Sequence, residues 1–416
     1  MQKIPLFKDN KEFFAVGVVF IVIFLVRLFF YFQDYQELKS KDFYYTIAKV
    51  ERVYKKDNKK FLVRLNSIDN LRFFLVTSKD IKPNSLVRAK LKLKKSTSFL
   101  EYLRGFFAYG DIVEILDSSF EPKRYFKDKI IKEHKSVELA SFYNAIYLAE
   151  PLEKDIRDRI TALGISHLVA LSGFHLGIIW LILFGIFGYI YKFFQKRYFP
   201  YRNIYLDLGF FTIAVIFIYV FFVGSPPSLI RSFIMLFIGW ILLIFGLELI
   251  SFKLLFFTTF LVIAIFPKLL FSYSFLLSVA GVYYIFLILK WQKESFNLLK
   301  TIFIIPIGVF ILMFPISHYI FPNSSIWQLA SPILSVLFII FYPLSLILHL
   351  LGYGDLFDNI LSSLLILPRE SVNIIMPIGL FTIYLILSIF AIFSKKVYIA
   401  TFILALLITI WYMLLL

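Results

Sequence analysis

Few of the 416 residues could act on a covalent bond. The chain has no cysteine, which excludes thiolate nucleophiles, disulfides, iron–sulfur clusters and Cys-ligated zinc together. Its five histidines are His134, His167, His175, His318 and His349. They fit neither an H-x-H-x-D-H nor an H-E-x-x-H spacing, so a zinc hydrolase is not expected. The densest polar constellation is SHLVALSGFHLG at 166–177. Ser172 and His175 would share a helix face, but no acid stands by to orient the histidine, and helical neighbours make a poor attack geometry. A metal site from His167 and His175 lacks a third ligand. Interhelical hydrogen bonding accounts for the same residues, and Gly173 and Gly177 form a small-xxx-small pair that lets another backbone approach. No catalytic residue, metal or cofactor is expected.

Three further segments place polar, small or helix-breaking residues where lipid would make them costly. In GSPPSLIRSFIM at 224–235, two prolines start a helix with Ser228, Arg231 and Met235 on one face. Arg231 sits one turn into apolar sequence and must snorkel, pair, or line an anionic pathway. FPKLLFSYSFLLSVAG at 266–281 is thinned by serines. The last segment runs through Pro306, Pro315 and Pro322 into IWQLASPILS at 326–335. Broken helices of this kind surround pathways, and small residues also serve ordinary packing.

The elements that carry these residues follow from composition. The chain is 60% hydrophobic and only 17% charged, with a net charge of +17. Residues 33–136 hold 24 Lys/Arg against 14 Asp/Glu, a net of +10. A soluble enzyme is excluded, and a basic water-facing module attached to a polytopic membrane protein is expected. Lys3, Lys8 and Lys11 precede the apolar run at 13–32, which is too long for a signal-peptide core and reads as an uncleaved first span with a cytoplasmic N-terminus. Between 43 and 120, five runs alternate with period two, separated by turns such as Lys56-Asp57-Asn58 and Asp69-Asn70, with a short helix before the last. This is the element order of an OB-fold barrel. Arg88, Lys90, Lys92 and Lys94 share one strand face, which is either a solvated surface or a nucleic-acid backbone track.

After the barrel, Leu152, Ile156, Ile160 and Leu163 predict an amphipathic helix within 138–166. Spans are expected near 173–194, 203–223, 228–247, 252–267, 270–290, 300–320, 327–351, 376–394 and 397–416. The basic loops 192–202 and 290–300 (Lys290, Lys293, Lys300) place those turns in the cytoplasm and residues 33–166 outside. Lys395 and Lys396 break the alternation, so either 327–351 is broken at Pro332 and Pro343 or the amphipathic stretch 355–367 crosses in part.

Taken in order, the four segments resemble the competence domain of the ComEC family of DNA-uptake channels. The family run close to G-x-x-HLLAISGLHxG is similar to Gly164–Gly177, with Val169, Leu171 and Phe174 as conservative changes. G-x-x-PSxxRAxxM is matched at Gly224, Pro227, Ser228, Arg231 and Met235, with Ser232 in place of alanine. The serine-thinned segment at 271–281 and Gln328–Ile333 match the two later motifs loosely. An OB-fold domain often follows the family's first span, and many members also carry a metallo-β-lactamase-like domain. A short form without that domain is expected here, and its nuclease role is not carried over.

The resemblance implies a channel for single-stranded DNA across the bacterial inner membrane during natural transformation. It places His167, Ser172, Gly173, His175, Gly177, Ser228 and Arg231 on the pathway or channel motif, with Arg88, Lys90, Lys92 and Lys94 for capture. A periplasmic DNA receptor, a cytoplasmic ATPase or helicase motor, the lipid bilayer and a homo-oligomer are its expected partners; the sequence has no P-loop of its own. The fold expected is a polytopic α-helical membrane protein with an inserted extracytoplasmic all-β, OB-fold-like domain. Its divisions are 1–32, the first span; 33–136, the basic domain; 137–166, the amphipathic segment; 167–351, the channel domain; 352–375, an interfacial helix; and 376–416, the last spans. The competing readings are a small-molecule or lipid transporter and a membrane scaffold. The first would require inverted repeats and a coupling acid in a span, but only Asp207 and Glu248 stand at span ends.

Overall fold

The computed structural model describes residues 9–56, 60–69, 71–79, 81, 85–116, 122–246, 251–292, 298–366 and 371–416. Lys3, Lys8, Asp57, Asn58, Asn70, Glu248, Lys293 and the side chain of Lys300 lie outside the described residues. The chain divides into two compact units.

One unit comprises Asp9–Arg124 and Phe260–Ser272. Its first element, α1 (Asn10–Ser40), starts where Asp9 accepts the Glu12 backbone N–H at 2.9 Å, a side-chain cap that satisfies one orphan donor. The apolar run suggested an end at residue 32, but the helix continues through the polar Gln33–Ser40 stretch. Tyr35 and Leu38 explain the extension, since both are buried against the barrel core and the Tyr35 hydroxyl donates to the Thr97 carbonyl at 2.8 Å. Five strands follow: β1 (Tyr44–Lys56), β2 (Lys60–Ser67), β3 (Arg72–Thr77), β4 (Leu86–Leu93) and β5 (Phe106–Leu116). The short helix α2 (Phe99–Arg104) lies between the last two, opened by a reciprocal Ser98–Glu101 cap. The strands close in the order β1-β2-β3-β5-β4, with β3 and β5 parallel, which is the OB-type barrel that the alternation predicted.

Alternation becomes burial strand by strand. Val50, Val63, Leu65, Phe73, Leu75, Val87, Ala89 and Leu91 are fully buried and line the interior. Each large side chain among them contributes about 1.5–3 kcal/mol on leaving water. At the rim, Asp69 accepts hydrogen bonds from Thr46 Oγ1 (2.6 Å), Tyr44 Oη (3.0 Å) and Ser67 Oγ (3.1 Å). The Thr46 bond is the chief reason its carboxyl is held below the usual range.

The other unit, Tyr125–Thr259 with Tyr273–Leu416, is helical. The segment 137–166 is built of three helices, and the expected amphipathic one is the second of them. It holds α4 (Val137–Leu148), α5 (Lys154–Ala162) and α6 (Ser166–Val169), preceded by α3 (Pro122–Glu133). Ala149, in the left-handed region at φ 56°, ends α4, and Pro151 follows before α5 begins. Ile156 and Ile160 of α5 are fully buried, so the apolar stripe packs into protein. The longer helices are α7 (Gly173–Tyr198), α8 (Ile204–Phe222), α9 (Pro227–Ile244), α10 (Phe252–Ile265), α11 (Tyr273–Trp291), α12 (Leu298–Ile320), α13 (Ser331–Leu351), α15 (Ile378–Phe390) and α16 (Lys395–Leu414). The helix α14 (Asp358–Ile366) is short, and a two-residue strand β6 (Asn323–Ser324) pairs with β7 (Val372–Asn373). Across the described residues, seven helices are long and apolar enough to cross a membrane, and α9, α10 and α15 are shorter apolar ones. α13 runs unbroken through Pro343, and Pro332 falls in its first turn, where a proline costs no intrahelical bond.

Two outcomes follow for the barrel. Gly110 of β5 has φ +151°, and a Cβ there would overlap the Lys90 carbonyl and lie 2.9 Å from Leu91 Cα. Gly110→Ala is expected to weaken the β4–β5 pairing by about 1–3 kcal/mol, read as lost hydrogen-exchange protection in those two strands. Asp69, whose folded-state carboxyl is depressed, stabilises the barrel fully above the unfolded value of 3.8, and that contribution is lost as pH falls through the lower folded value. Asp69→Asn is expected to flatten that acid limb of a barrel-stability profile.

Candidate functional site

The expected basic face of β4 is present, and its neighbours give it a character beyond charge. Tyr45 of β1 pairs with Lys90 and Tyr109 of β5 pairs with Lys92 across the ladder, so their side chains share the outer surface. Phe43, Tyr45, Phe107 and Tyr109 are all more than half exposed. The Lys90 ammonium lies 3.9 Å from the Phe43 ring centroid and 5.6 Å from that of Tyr45. Lys94 lies 4.8 Å from the Tyr109 centroid, and Phe107 stacks on Phe74 with centroids 4.9 Å apart. Cation–π contacts at such exposed sites are worth about 0.5–1 kcal/mol each, weak enough to exchange for a ligand.

The four basic residues divide in two. Arg88 pairs with Glu114 at 3.3 Å and Lys92 with Asp42 at 2.7 Å, so half of the charge is already answered by carboxylates. Lys90 and Lys94 face aromatic rings, and Lys92 lies 5.6 Å from the Phe43 centroid besides its carboxylate. Sequence parity had placed the cations on one face, but Phe43, Tyr45, Phe107 and Tyr109 were not singled out. Their period-two spacing was visible; the strand register that sets them beside the lysines was not.

In the helical unit the four motif segments touch one another. Ser228 Oγ donates to the Leu171 carbonyl at 3.0 Å, which ties the second motif to the first. Arg231 is 3% exposed and donates from Nη1 to the Ser274 carbonyl at 2.9 Å, with its guanidinium 5.7 Å from the Phe275 centroid, which ties the second to the third. The Arg231 Nε is buried without a hydrogen-bond partner. The fourth joins the first through Ser331 Oγ, which donates to the Gly164 carbonyl at 3.0 Å. Gly164 sits at φ +68°, with Gln328 Cα 3.3 Å from where a Cβ would be, so the position accepts glycine for both backbone and packing reasons.

The two histidines of the first motif go to different partners. His175 is fully buried, and its Nδ1 accepts the Ser172 backbone N–H at 3.2 Å, closing the first turn of α7. Its ring meets Tyr342 edge-on at 4.6 Å. His167 Nε2 lies 3.4 Å from Ser335 Oγ. Ser232 Oγ is 3.3 Å from a Cβ placed on Gly173, whereas nothing lies within 4 Å of one placed on Gly177. The close approach therefore falls at Gly173. Across the described residues, no three His, Cys, Asp or Glu side chains assemble as metal ligands.

A family model described as Competence protein matches residues 149–416. An uncharacterized protein of Aquifex aeolicus (strain VF5) is 31% identical over 228 residues, covering 54% of this chain. The chain thereby spans about half the length of that curated relative, 50% of which is aligned. No solved structure matches. The matched residues include all four motif segments that the helices bring into contact, and the chain belongs to the competence protein family.

Proposed function

We propose that the protein passes single-stranded DNA across the bacterial inner membrane during natural transformation, with the β1–β4–β5 face of the barrel as the capture surface. In this reading the N-terminus is cytoplasmic, the barrel is periplasmic and the helical unit provides the route. The observation that carries it is the interleaving of Lys90, Lys92 and Lys94 with the exposed rings of Phe43, Tyr45, Phe107 and Tyr109. Phosphates take the ammonium groups, and bases of any sequence stack on rings, so the grip is sequence-neutral. Each contact is weak, as a strand that must keep moving requires. A periplasmic receptor delivers the strand and a cytoplasmic ATPase or helicase draws it in, with self-association completing the route if one bundle does not. Arg231 fixes a positive charge inside the bundle, beside the turn that starts α9.

Two experiments test this reading. For the purified chain in lipid, exchange of Lys90, Lys92 and Lys94 for Glu is expected to weaken oligo-dT binding and to reduce the log–log salt slope by about 2, since each phosphate contact on a single strand contributes about 0.7. An unchanged slope removes the barrel face from the path. Arg231→Ala is expected to insert normally at equal protein level yet lower transformation, with Arg231→Lys partly restoring it; full transformation by the alanine variant contradicts a role for the guanidinium.

A further inference from the structure

One buried polar cluster of the helical unit takes no part in the motif contacts. His134 follows α3, His349 lies in the last turn of α13, and Asp358 opens α14. The His134 side chain is fully buried, His349 is 6% exposed and the Asp358 side chain 13%. His134 Nδ1 lies 2.9 and 3.0 Å from the two Asp358 carboxylate oxygens. His134 Nε2 lies 3.0 Å from His349 Nε2, and His349 Nδ1 is 2.6 Å from the Ser345 carbonyl.

Hydrogen counting makes this arrangement informative. A carbonyl only accepts, so His349 Nδ1 carries a hydrogen and its Nε2 is a lone pair. An ionised carboxylate only accepts, so His134 Nδ1 also carries a hydrogen and its Nε2 is a second lone pair. Two lone pairs 3.0 Å apart repel, and Asp358 would leave a negative charge with little access to water. One added proton removes both penalties. It rests between the two Nε2 atoms with Asp358 ionised, or on Asp358 with His134 in its other tautomer, and the proton count is the same either way.

We propose that Asp358, His134 and His349 form a one-proton binding site that latches the 354–366 segment and the end of α13 onto α3 and α4. Every element packed around it contributes groups to the same balance. Tyr143 of α4 stacks on His134 with centroids 4.3 Å apart and faces His349 at 4.5 Å, and Tyr147 lies 5.2 Å from His349. From α3, Glu133 Oε2 is buried without a hydrogen-bond partner, and Lys129 Nζ lies 3.8 Å from Glu133 Oε1 while donating to the His349 carbonyl at 3.3 Å. Asp355, just before α14, acts on Tyr143 through space. The latched form binds the proton more tightly than the released form, so the latch is closed at low pH and opens as pH rises through the site's own midpoint.

The lack of cysteine allows clean spin labelling of the full chain in nanodiscs at Lys132→Cys and Ile360→Cys, both exposed positions. The inter-label distance is expected to be narrow at pH 5 and to lengthen or broaden by pH 9 along a one-proton curve. Asp358→Asn is expected to abolish the step and keep the narrow distance, because the amide N–H donates to His134 Nδ1 and frees Nε2–H for His349. A flat wild-type profile, or the same step in Asp358→Asn, overturns the proposal. A step that disappears after chelation assigns the cation to a metal and overturns it too. The nitrogen-15 histidine spectrum of the wild type gives an independent reading: the His134 and His349 resonances are expected to change together across the step, by protonation or by exchange of tautomer, and rings that change independently would contradict the shared proton.

Discussion

A backbone carbonyl that loses its helical partner inside an apolar bundle costs several kcal/mol unless something donates to it. The helical unit is arranged around that constraint. Its interruptions free carbonyls at Gly164, Tyr147 and Leu171, and these receive Ser331, Tyr219 and Ser228 respectively. The chain just past α15 is served in the same way, with Lys290 and Trp291 donating to the Ile392 and Ala391 carbonyls. Arg231 adds a donor to the Ser274 carbonyl at the start of α11. The motif residues are therefore partners for one another's backbone irregularities. Irregular backbone in an apolar bundle persists only where protein or a wet cavity satisfies it, and here protein side chains do so.

The barrel solves a different problem. Its interior is lined by fully buried apolar side chains, which leaves the outer face free to vary without cost to the core. That face spends its variation on lysines held over exposed rings. Two of the four cations are already answered by Glu114 and Asp42, which lowers the positive charge that the face presents. In the proposed reading, distributed and half-neutralised contacts let the surface release a strand that it captures.

Much of this was legible in the sequence, because period and composition are local properties. Period-two alternation gave five strands and the even-numbered cations of β4, and apolar runs gave the positions of the long helices. What failed to show was set at a distance. Tyr35 and Leu38 prolong α1 because a barrel strand segment lies against them, and nothing within Gln33–Ser40 announces it. The stripe from Leu152 to Leu163 marked α5, whereas the breaks that bound it, at Ala149 and Gly164 with positive φ, are backbone events that the stripe does not announce. The pairing of Tyr45 with Lys90 depends on register, which side-chain parity alone does not fix. His134 and His349 are 215 positions apart, and only tertiary packing makes them neighbours.

The central claim, passage of single-stranded DNA at the inner membrane, is tested most directly by following fluorescent double-stranded DNA in a naturally competent source strain lacking this protein. DNA that accumulates in the periplasm without reaching the cytoplasm, with transformants lost and restored by the wild-type chain, is the predicted result. Cytoplasmic DNA and undiminished transformation in the deletion strain would contradict the account.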